Sequence, residues 1–362
     1  MRTSPVRPAV SAAAALAAVL LAAPVAPAVA AEPPPLRAAP TPLLWPQSGL
    51  ESVSATGPDD VWAAGYQGRQ RYWVAVEGFG GWWVNVLPPK AVVTRWNGTS
   101  WQTHDIPGTG GDAAATDIDA GSPSNVWVTG ARKPLRDLTE HEPFLSRWDG
   151  ARWHDVAPPE GCWPRSPEAD ATGTWIACGT TVHRWEGGAW TEYDAGAHDN
   201  CCIAVNDISA LPEGPAWAAT TWGLVRWDGQ AWSEVAELPE DVFWNEVLAV
   251  SADEVWATGT APREDGSGWR DRVLYRWDGR TWSEGPATPS NEKLLRTGDG
   301  TIWAVQTTFG GGRYRLDGDA WTEVEVPVPG DGEITGATSV PGSPSLWMVG
   351  RTENVPLVYR NG

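Results

Sequence analysis

Three groups of side chains in this 362-residue chain have types and spacings that could do chemistry. The first is aromatic: Trp73, Trp82, Trp83, Trp163, Trp222, Trp244 and Trp269, with Tyr72 and Phe79 beside the earliest three. Aromatic platforms flanked by charge suit recognition of carbohydrate or peptide. The second is four cysteines, Cys162, Cys178, Cys201 and Cys202. In an exported chain these predict disulfides, with three possible connectivities. No Cys-x-x-Cys spacing occurs, so a zinc site is the weaker reading, and neither a metal nor a cofactor is expected. The third group is acids and imidazoles. His141 and His198 stand near Glu140, Glu142 and Asp199, and any of them could act as general acid or base. Asp117, Asp207 and Glu246 recur early in one kind of strand, where a cation could sit among them; solvated structural acids are the alternative.

What positions these residues is an internal repeat. A Val-Trp-type strand ending near Gly is followed by an Arg-Trp-Asp-Gly-type turn, as in DEVWATG with LYRWDGRTW at 253–282. The first Trp recurs at Trp62, Trp127, Trp175, Trp217, Trp256, Trp303 and Trp347. The Arg recurs at Arg95, Arg147, Arg184, Arg226, Arg276 and Arg315, with Tyr359 read into the last copy. A second Trp follows each turn, from Trp101 to Trp321. The spacing averages about 45 residues, the length of one propeller blade. Asp-Gly between two Trp-bearing runs reads as a two-residue hairpin turn, which would pair Trp227 with Gln230. Each unit then comprises four short antiparallel strands, A to D. The fold class is all-β: a seven-bladed β-propeller of four-stranded antiparallel blades. The last copy stops at Arg360-Asn361-Gly362, before its fourth strand. Residues 41–47, which include Trp45, are expected to supply that strand and close the ring.

The unit resembles the Kelch repeat of galactose-oxidase-type propellers. Val255-Trp256-Ala257-Thr258-Gly259 matches that repeat's hydrophobic strand, and Tyr275–Trp282 its outer hairpin. Here the Gly doublet is single and the turn tighter. The resemblance implies a propeller and carries over no residue role. Copper chemistry of the galactose-oxidase type would need a Tyr/His set; Tyr66, Tyr72, His141 and His198 could be named, but no motif selects them.

Residues that recur once per blade read as structure. The B-strand and turn Trp would fill the gap between neighbouring sheets. The Arg would stack on Trp and pair with an acid two residues beyond the second Trp of an adjoining blade, Asp155, Glu192, Glu234, Glu284 or Glu323. In blades of this kind the B–C and D–A connections emerge on one face, the top. All seven Trp outside the repeat fall on such connections. The longest, residues 65–91, contains two β-prone runs around Gly78-Phe79-Gly80-Gly81 and predicts an extra hairpin. Cys162 and Cys178 flank the A–B hairpin of the third unit and are the preferred bridge, leaving Cys201 and Cys202 to a vicinal one. The alternative ties both to the first pair.

Residues 1–30 read as an export signal: Arg2 and Arg7, an Ala/Val/Leu run, then Ala28-Val29-Ala30. Residues 31–40 are a Pro-rich linker, and 41–362 form the propeller. Pro24 and Pro27 break the apolar run, and no second spanning segment follows. The formal net charge is −19, and removing the two arginines of the signal makes it −21. Such a chain offers no basic footprint to nucleic acid or anionic lipid. The expectation is a secreted, monomeric propeller that binds carbohydrate or a protein partner through its Trp-rich top. A hydrolase or lyase acting on polysaccharide, with loop carboxylates at the channel mouth, is the alternative.

Overall fold

The computed structural model describes residues 34–362 apart from 77, 79, 134–140, 196–203, 213, 222, 240, 264–268, 290–292 and 308–310, with backbone alone at 76, 82, 83, 85 and 269–271. The described residues form seven four-stranded antiparallel sheets and one two-stranded sheet. The A strands are Gly49–Gly57, Ala113–Ser122, Arg165–Ala169, Val205–Ala210, Phe243–Ser251, Lys293–Arg296 and Glu333–Ser339. Each A strand neighbours the next in sequence, and the seventh neighbours the first, so they line the axis of a closed β-propeller.

The repeat columns become registers. In every blade the B-strand Trp pairs with an Arg of strand C: Trp62↔Arg95, Trp127↔Arg147, Trp175↔Arg184, Trp217↔Arg226, Trp256↔Arg276, Trp303↔Arg315 and Trp347↔Arg360. The seventh Arg is therefore Arg360, not the position of Tyr359. The hairpin register also differs from the expected one. Trp227 pairs with Trp232, not Gln230, because the two turn residues are Gly229 and Gln230. Asp228 stands before them, its carboxylate accepting the Gln230 and Ala231 N–H groups, while Gly229 takes φ +104°. A side chain that closes an Asx turn belongs at the turn's first corner, with the glycine supplying the positive φ.

This register sets the inter-blade packing. Trp62 of blade 1 lies 5.5 and 5.8 Å from Trp148 and Trp153 of blade 2. Trp175 of blade 3 is 5.3 Å from both Trp227 and Trp232 of blade 4, and Trp347 of blade 7 reaches Trp96 and Trp101 of blade 1. Five of the seven B-strand Trp, Trp127 and Trp217 included, thus meet Trp of the next blade at the tilted and edge-on spacings aromatic rings favour, while Trp256 shares its core cluster with Leu316 and Trp321, and Trp303 with Leu36 and Tyr359.

Ring closure differs from the expectation. The outermost strand of blade 7 is Arg37–Ala38, paired with Arg360 and Tyr359, and not residues 41–47. Arg37 opposite Arg360 puts buried Leu36 where the other blades carry their second Trp. An apolar side chain in that register outweighs a Trp nearby in sequence; Trp45 is left exposed beyond the strand. The expected Arg–acid belt between blades is also corrected. The Arg guanidiniums stack on the Trp of their own blade, at 4.8 Å for Arg95 over Trp62 and Arg184 over Trp175. Where they meet an acid it is in that blade too: Arg95 with Asp60 at 2.6 Å and Arg184 with Asp170 at 2.8 Å. Short acids beside the A–B turn are nearer than the D-strand acids of the adjoining sheet.

Candidate functional site

The channel is built from the A strands. In most of them a β-bulge falls just before an axis-facing polar residue, as between Ala115 and Asp117 or Val205 and Asp207. A bulge locally re-aims the chain. The result is a ring of side chains reaching across to the next blade. Ser52 donates to Asp117 at 2.8 Å, and Ser54 to Asp119 at 2.9 Å. Asp119 accepts the Ala169 N–H, Glu168 the Ala210 N–H, and Asp207 the Val247 N–H. Glu246 accepts from Leu294 N–H and holds Lys293 Nζ at 3.3 Å. The acids expected at the channel mouth, Asp117, Asp207 and Glu246, are brought together with Asp119 and Glu168. The cation they surround is the protein's own lysine.

Asp117, Glu168, Asp207, Glu246 and Lys293 line a cavity of about 310 Å³ at the top of the channel, together with Glu51, Ser166, Asn206 and Thr335. Burial pushes the Asp117 carboxyl up to about 6, against the Ser52 hydrogen bond and the attraction of Lys293. Glu168 and Glu246 are also raised, first by burial and then by neighbouring Asp119 and Asp207 respectively. Lys293 keeps 43 % of its side chain open to the lumen. The channel wall still surrounds it, and Glu246 above all, with Asp207, Asp117 and Glu168, holds it protonated. At one rim Arg351 bridges Glu51 and Glu333, and Tyr66 accepts from Arg69 at 2.6 Å. Among the described residues no three His, Cys, Asp or Glu side chains are arranged to hold a metal ion.

The extra hairpin is present. Among the described strands, Gln70–Val76 and Gly80–Leu87 pair only with each other. Gln67↔Lys90 ends the B–C ladder of blade 1 and Gln70↔Leu87 begins the hairpin; residues 68–69 and 88–89 join the two outside any strand, and the hairpin's register shifts once, between Gln70 and Arg71. Gly68 makes the step possible. Its φ is +72°, and a Cβ there would lie 3.1 Å from the Trp45 ring, a combination only glycine tolerates. Tyr72 is 62 % and Trp73 52 % exposed.

The predicted aromatics divide. Tyr72, Trp73 and Trp163 are exposed on the top. Trp244 is fully buried against Tyr275, because strand A of blade 5 begins at Phe243 and takes it into the sheet; it is core, not surface. Trp82, Trp83 and Trp269 lie in strands, at positions where only the backbone is described, and Phe79 and Trp222 lie outside the described residues. Trp45 was missed as a surface residue, having been assigned to a strand. It is 59 % exposed at the hairpin's root, under Lys90. Its place on a D–A connection was the signal that could have found it. Every large apolar side chain exposed among the described residues, from Leu43 to Val355, sits on a top connection.

Cys162 and Cys178 form a disulfide with Cα atoms 5.1 Å apart; Cys201 and Cys202 lie outside the described residues. So do Glu140, His198 and Asp199. His141 is exposed, and Glu142 pairs with Arg132 at 2.9 Å. Tyr66 is buried and Tyr72 exposed.

No protein-family model and no curated protein matches the chain. Solved structures do. A YCF48 protein bound to a D1 peptide is 13 % identical, covering 90 % of this chain and 96 % of its own at a TM-score of 0.56. The WD40 β-propeller domain of Doa1 is 11 % identical over 90 % and 96 %, at 0.54. An extracellular domain of a two-component system from B. thetaiotaomicron is 12 % identical over 86 % of this chain and 38 % of its own, at 0.54. At such identities the likeness is one of fold, and the fold is a β-propeller.

Proposed function

We propose that this chain is an exported, monomeric propeller that binds a macromolecular ligand, protein or carbohydrate, through its top face. One observation carries the reading: the exposed large apolar side chains among the described residues all lie on that face. Solvated proteins rarely concentrate such surface without a partner for it. Trp45, Tyr72 and Trp73 form its densest part, around the hairpin of blade 1. Export rests on the N-terminal signal pattern and agrees with the Cys162–Cys178 disulfide. The Trp and Arg columns are the frame that holds this face, in a repeat of Kelch-like pattern. The test is a screen of the mature protein on glycan and peptide arrays beside a Trp45→Ser, Tyr72→Ser, Trp73→Ser variant. Binding that the variant loses, at an unchanged melting temperature, supports the reading; binding that survives intact refutes it.

A second reading has one observation in its favour. Several carboxyls with raised pKa values share the channel-mouth cavity, an arrangement also used by polysaccharide hydrolases and lyases. It predicts chain cleavage that Asp117→Asn and Glu168→Gln abolish. Against it, each of these acids already accepts a hydrogen bond from the adjoining blade or from Ser52.

A further inference from the structure

A groove of about 660 Å³ opens between the outer strands of blades 2 and 3, a size that small-ligand sites share. Trp185 and Trp190 of blade 3 form one wall, their rings 5.7 and 5.8 Å from Trp127 of blade 2. Arg147, Asp149 and His154 of blade 2 line the other. His154 lies opposite Arg147 in the C–D ladder, and its Nε2 meets Asp149 Oδ2 at 2.5 Å. The guanidinium, the carboxylate and the imidazole are thereby gathered on the side facing the two indoles.

Three departures from the repeat coincide in this groove, and packing between the blades needs none of them. Blade 1 pairs its column Arg with Asp60, two residues before the B-strand Trp. Blade 2 carries Asn125 in that place. Its Oδ1 accepts from Arg147 Nε at 3.0 Å, and among the described residues no carboxylate is within ion-pair distance of Arg147. The residue after the second Trp is Gln102, Thr191, Ser233, Ser283 or Thr322 in other blades, and an imidazole here. The turn residue of blade 3 at the groove's lip is Gly188, where the other C–D turns carry Thr99, Ala151, Gln230, Arg280 or Asp319. A Cβ at Gly188 would meet nothing within 4 Å, so the lip is bare.

The charges select an uncharged ligand. His154 and the Arg152 and Ala151 N–H groups keep Asp149 ionised, opposite in sign to Arg147. A cation in the groove would meet Arg147, and an anion would meet Asp149 on a chain of net charge −19. A hydroxyl both donates and accepts, so neighbouring hydroxyls can accept from Arg147 and donate to Asp149. His154, with Nε2 on Asp149, keeps Nδ1 for a further hydroxyl. The indoles offer flat apolar surface to the C–H face of a ring. We propose that this groove is a binding site for a neutral saccharide, separate from the top face, with the sugar ring against Trp185 and Trp190 and its hydroxyls on Arg147, Asp149 and His154.

The probes are tetrasaccharides of β-1,4-glucose, β-1,4-mannose and α-1,4-glucose, titrated to about 10 mM and read by tryptophan fluorescence and calorimetry. Tetramers of glucosamine and of galacturonate are the cationic and anionic controls. Arg147→Met and His154→Thr remove the polar wall; the second installs the residue type of Thr191 and Thr322, so a fold defect cannot account for both results. Arg226→Met, the same column in blade 4, is the control for a change of Arg alone. At least one neutral tetrasaccharide should bind saturably. Arg147→Met should weaken it at least about tenfold and His154→Thr about threefold or more, as lost hydrogen bonds to a ligand do, with Arg226→Met unchanged. No saturable binding of any neutral tetrasaccharide overturns the proposal, as does equal binding by a charged control. Binding that Arg147→Met and His154→Thr leave intact, or that Arg226→Met weakens equally, overturns it too. The Trp45→Ser, Tyr72→Ser, Trp73→Ser variant separates the two sites: binding lost there and kept in Arg147→Met belongs to the top face and overturns this inference alone.

Discussion

Arg184→Met and Arg226→Met remove chemically identical side chains from the same column of neighbouring blades, and the structure assigns them different costs. Arg184 stacks 4.8 Å from Trp175, donates to Asp170 at 2.8 Å and to Thr172 Oγ1 at 3.2 Å. Its side chain is 14 % exposed and that of Asp170 8 %. Arg226 stacks 5.2 Å from Trp217, and among the described residues no carboxylate lies within ion-pair distance of it. Breaking a fully buried pair costs about 3–5 kcal/mol. Slight exposure, and the Thr172 and Gly173 N–H groups that still serve Asp170, reduce this to about 2–4. Stacking alone is worth about 0.5–1 kcal/mol, and Met keeps most of the apolar contact. With unfolding entropy near 2.1 cal/mol/K per residue over roughly 325 residues, 3 kcal/mol corresponds to about 4 °C. Thermal melts by circular dichroism should show a fall of about 3–6 °C for Arg184→Met and about 1 °C or less for Arg226→Met. Burial alone would raise the Asp170 carboxyl, but the Thr172 N–H, Arg184 and Gly173 N–H outweigh it and hold it low. Its contribution is therefore present above the unfolded carboxyl pKa and lost as pH falls through the folded one, so the Arg184→Met deficit should shrink in strong acid. Equal falls for the two variants would refute the intra-blade assignment.

Three further outcomes follow from the same geometry. Asp117→Asn should stabilise the protein at pH 7.5 by about 1–2 kcal/mol, by roughly half of that at about pH 5, and not at all at about pH 3, below the unfolded carboxyl pKa. A carboxyl raised to about 6 favours the folded state only below its unfolded pKa, and that advantage is lost as pH rises through 6; melts at the three pH values check the sign. Replacing Cys162 and Cys178 by Ser frees a loop of sequence separation 16. By the chain-entropy relation it should cost about 3 kcal/mol, measured by denaturant titration. Removing residues 34–40 withdraws the Arg37–Ala38 strand and buried Leu36, and leaves the Pro356–Arg360 edge unpaired. It should lower the melting temperature and cause concentration-dependent association, read by light scattering.

The architecture was legible because its signals are local and repeated. A Trp before a Gly, and an Asp-Gly before a second Trp, need no knowledge of distant contacts. Register was less legible. Asp-Gly marked a turn, but only the carboxylate of Asp228 closing on Gln230 and Ala231 shows which two residues form it. Ring closure was misread for a related reason: Trp45 looked like a column residue, while the strand pairing with Arg360 gives the position to Leu36. The candidate site was half legible. Tyr72 and Trp73 lie where a long B–C insertion must lie. Trp244 was misplaced because strand A runs farther up the blade than its polar neighbours implied. Lys293 gave no signal at all. Its role comes from Asp117, Glu168, Asp207 and Glu246, contributed by four other blades, and no local pattern reports such a meeting.

The claim that the top face is the functional surface is tested most directly by oxidative footprinting, with and without a ligand captured on the arrays. Tyr72, Trp73 and Trp45 should be protected by the ligand, while Trp232 and Trp282, on outer strands, should not change. Protection confined to the outer strands or the A–B and C–D turns, with Tyr72 and Trp73 as reactive as in the free protein, would contradict it.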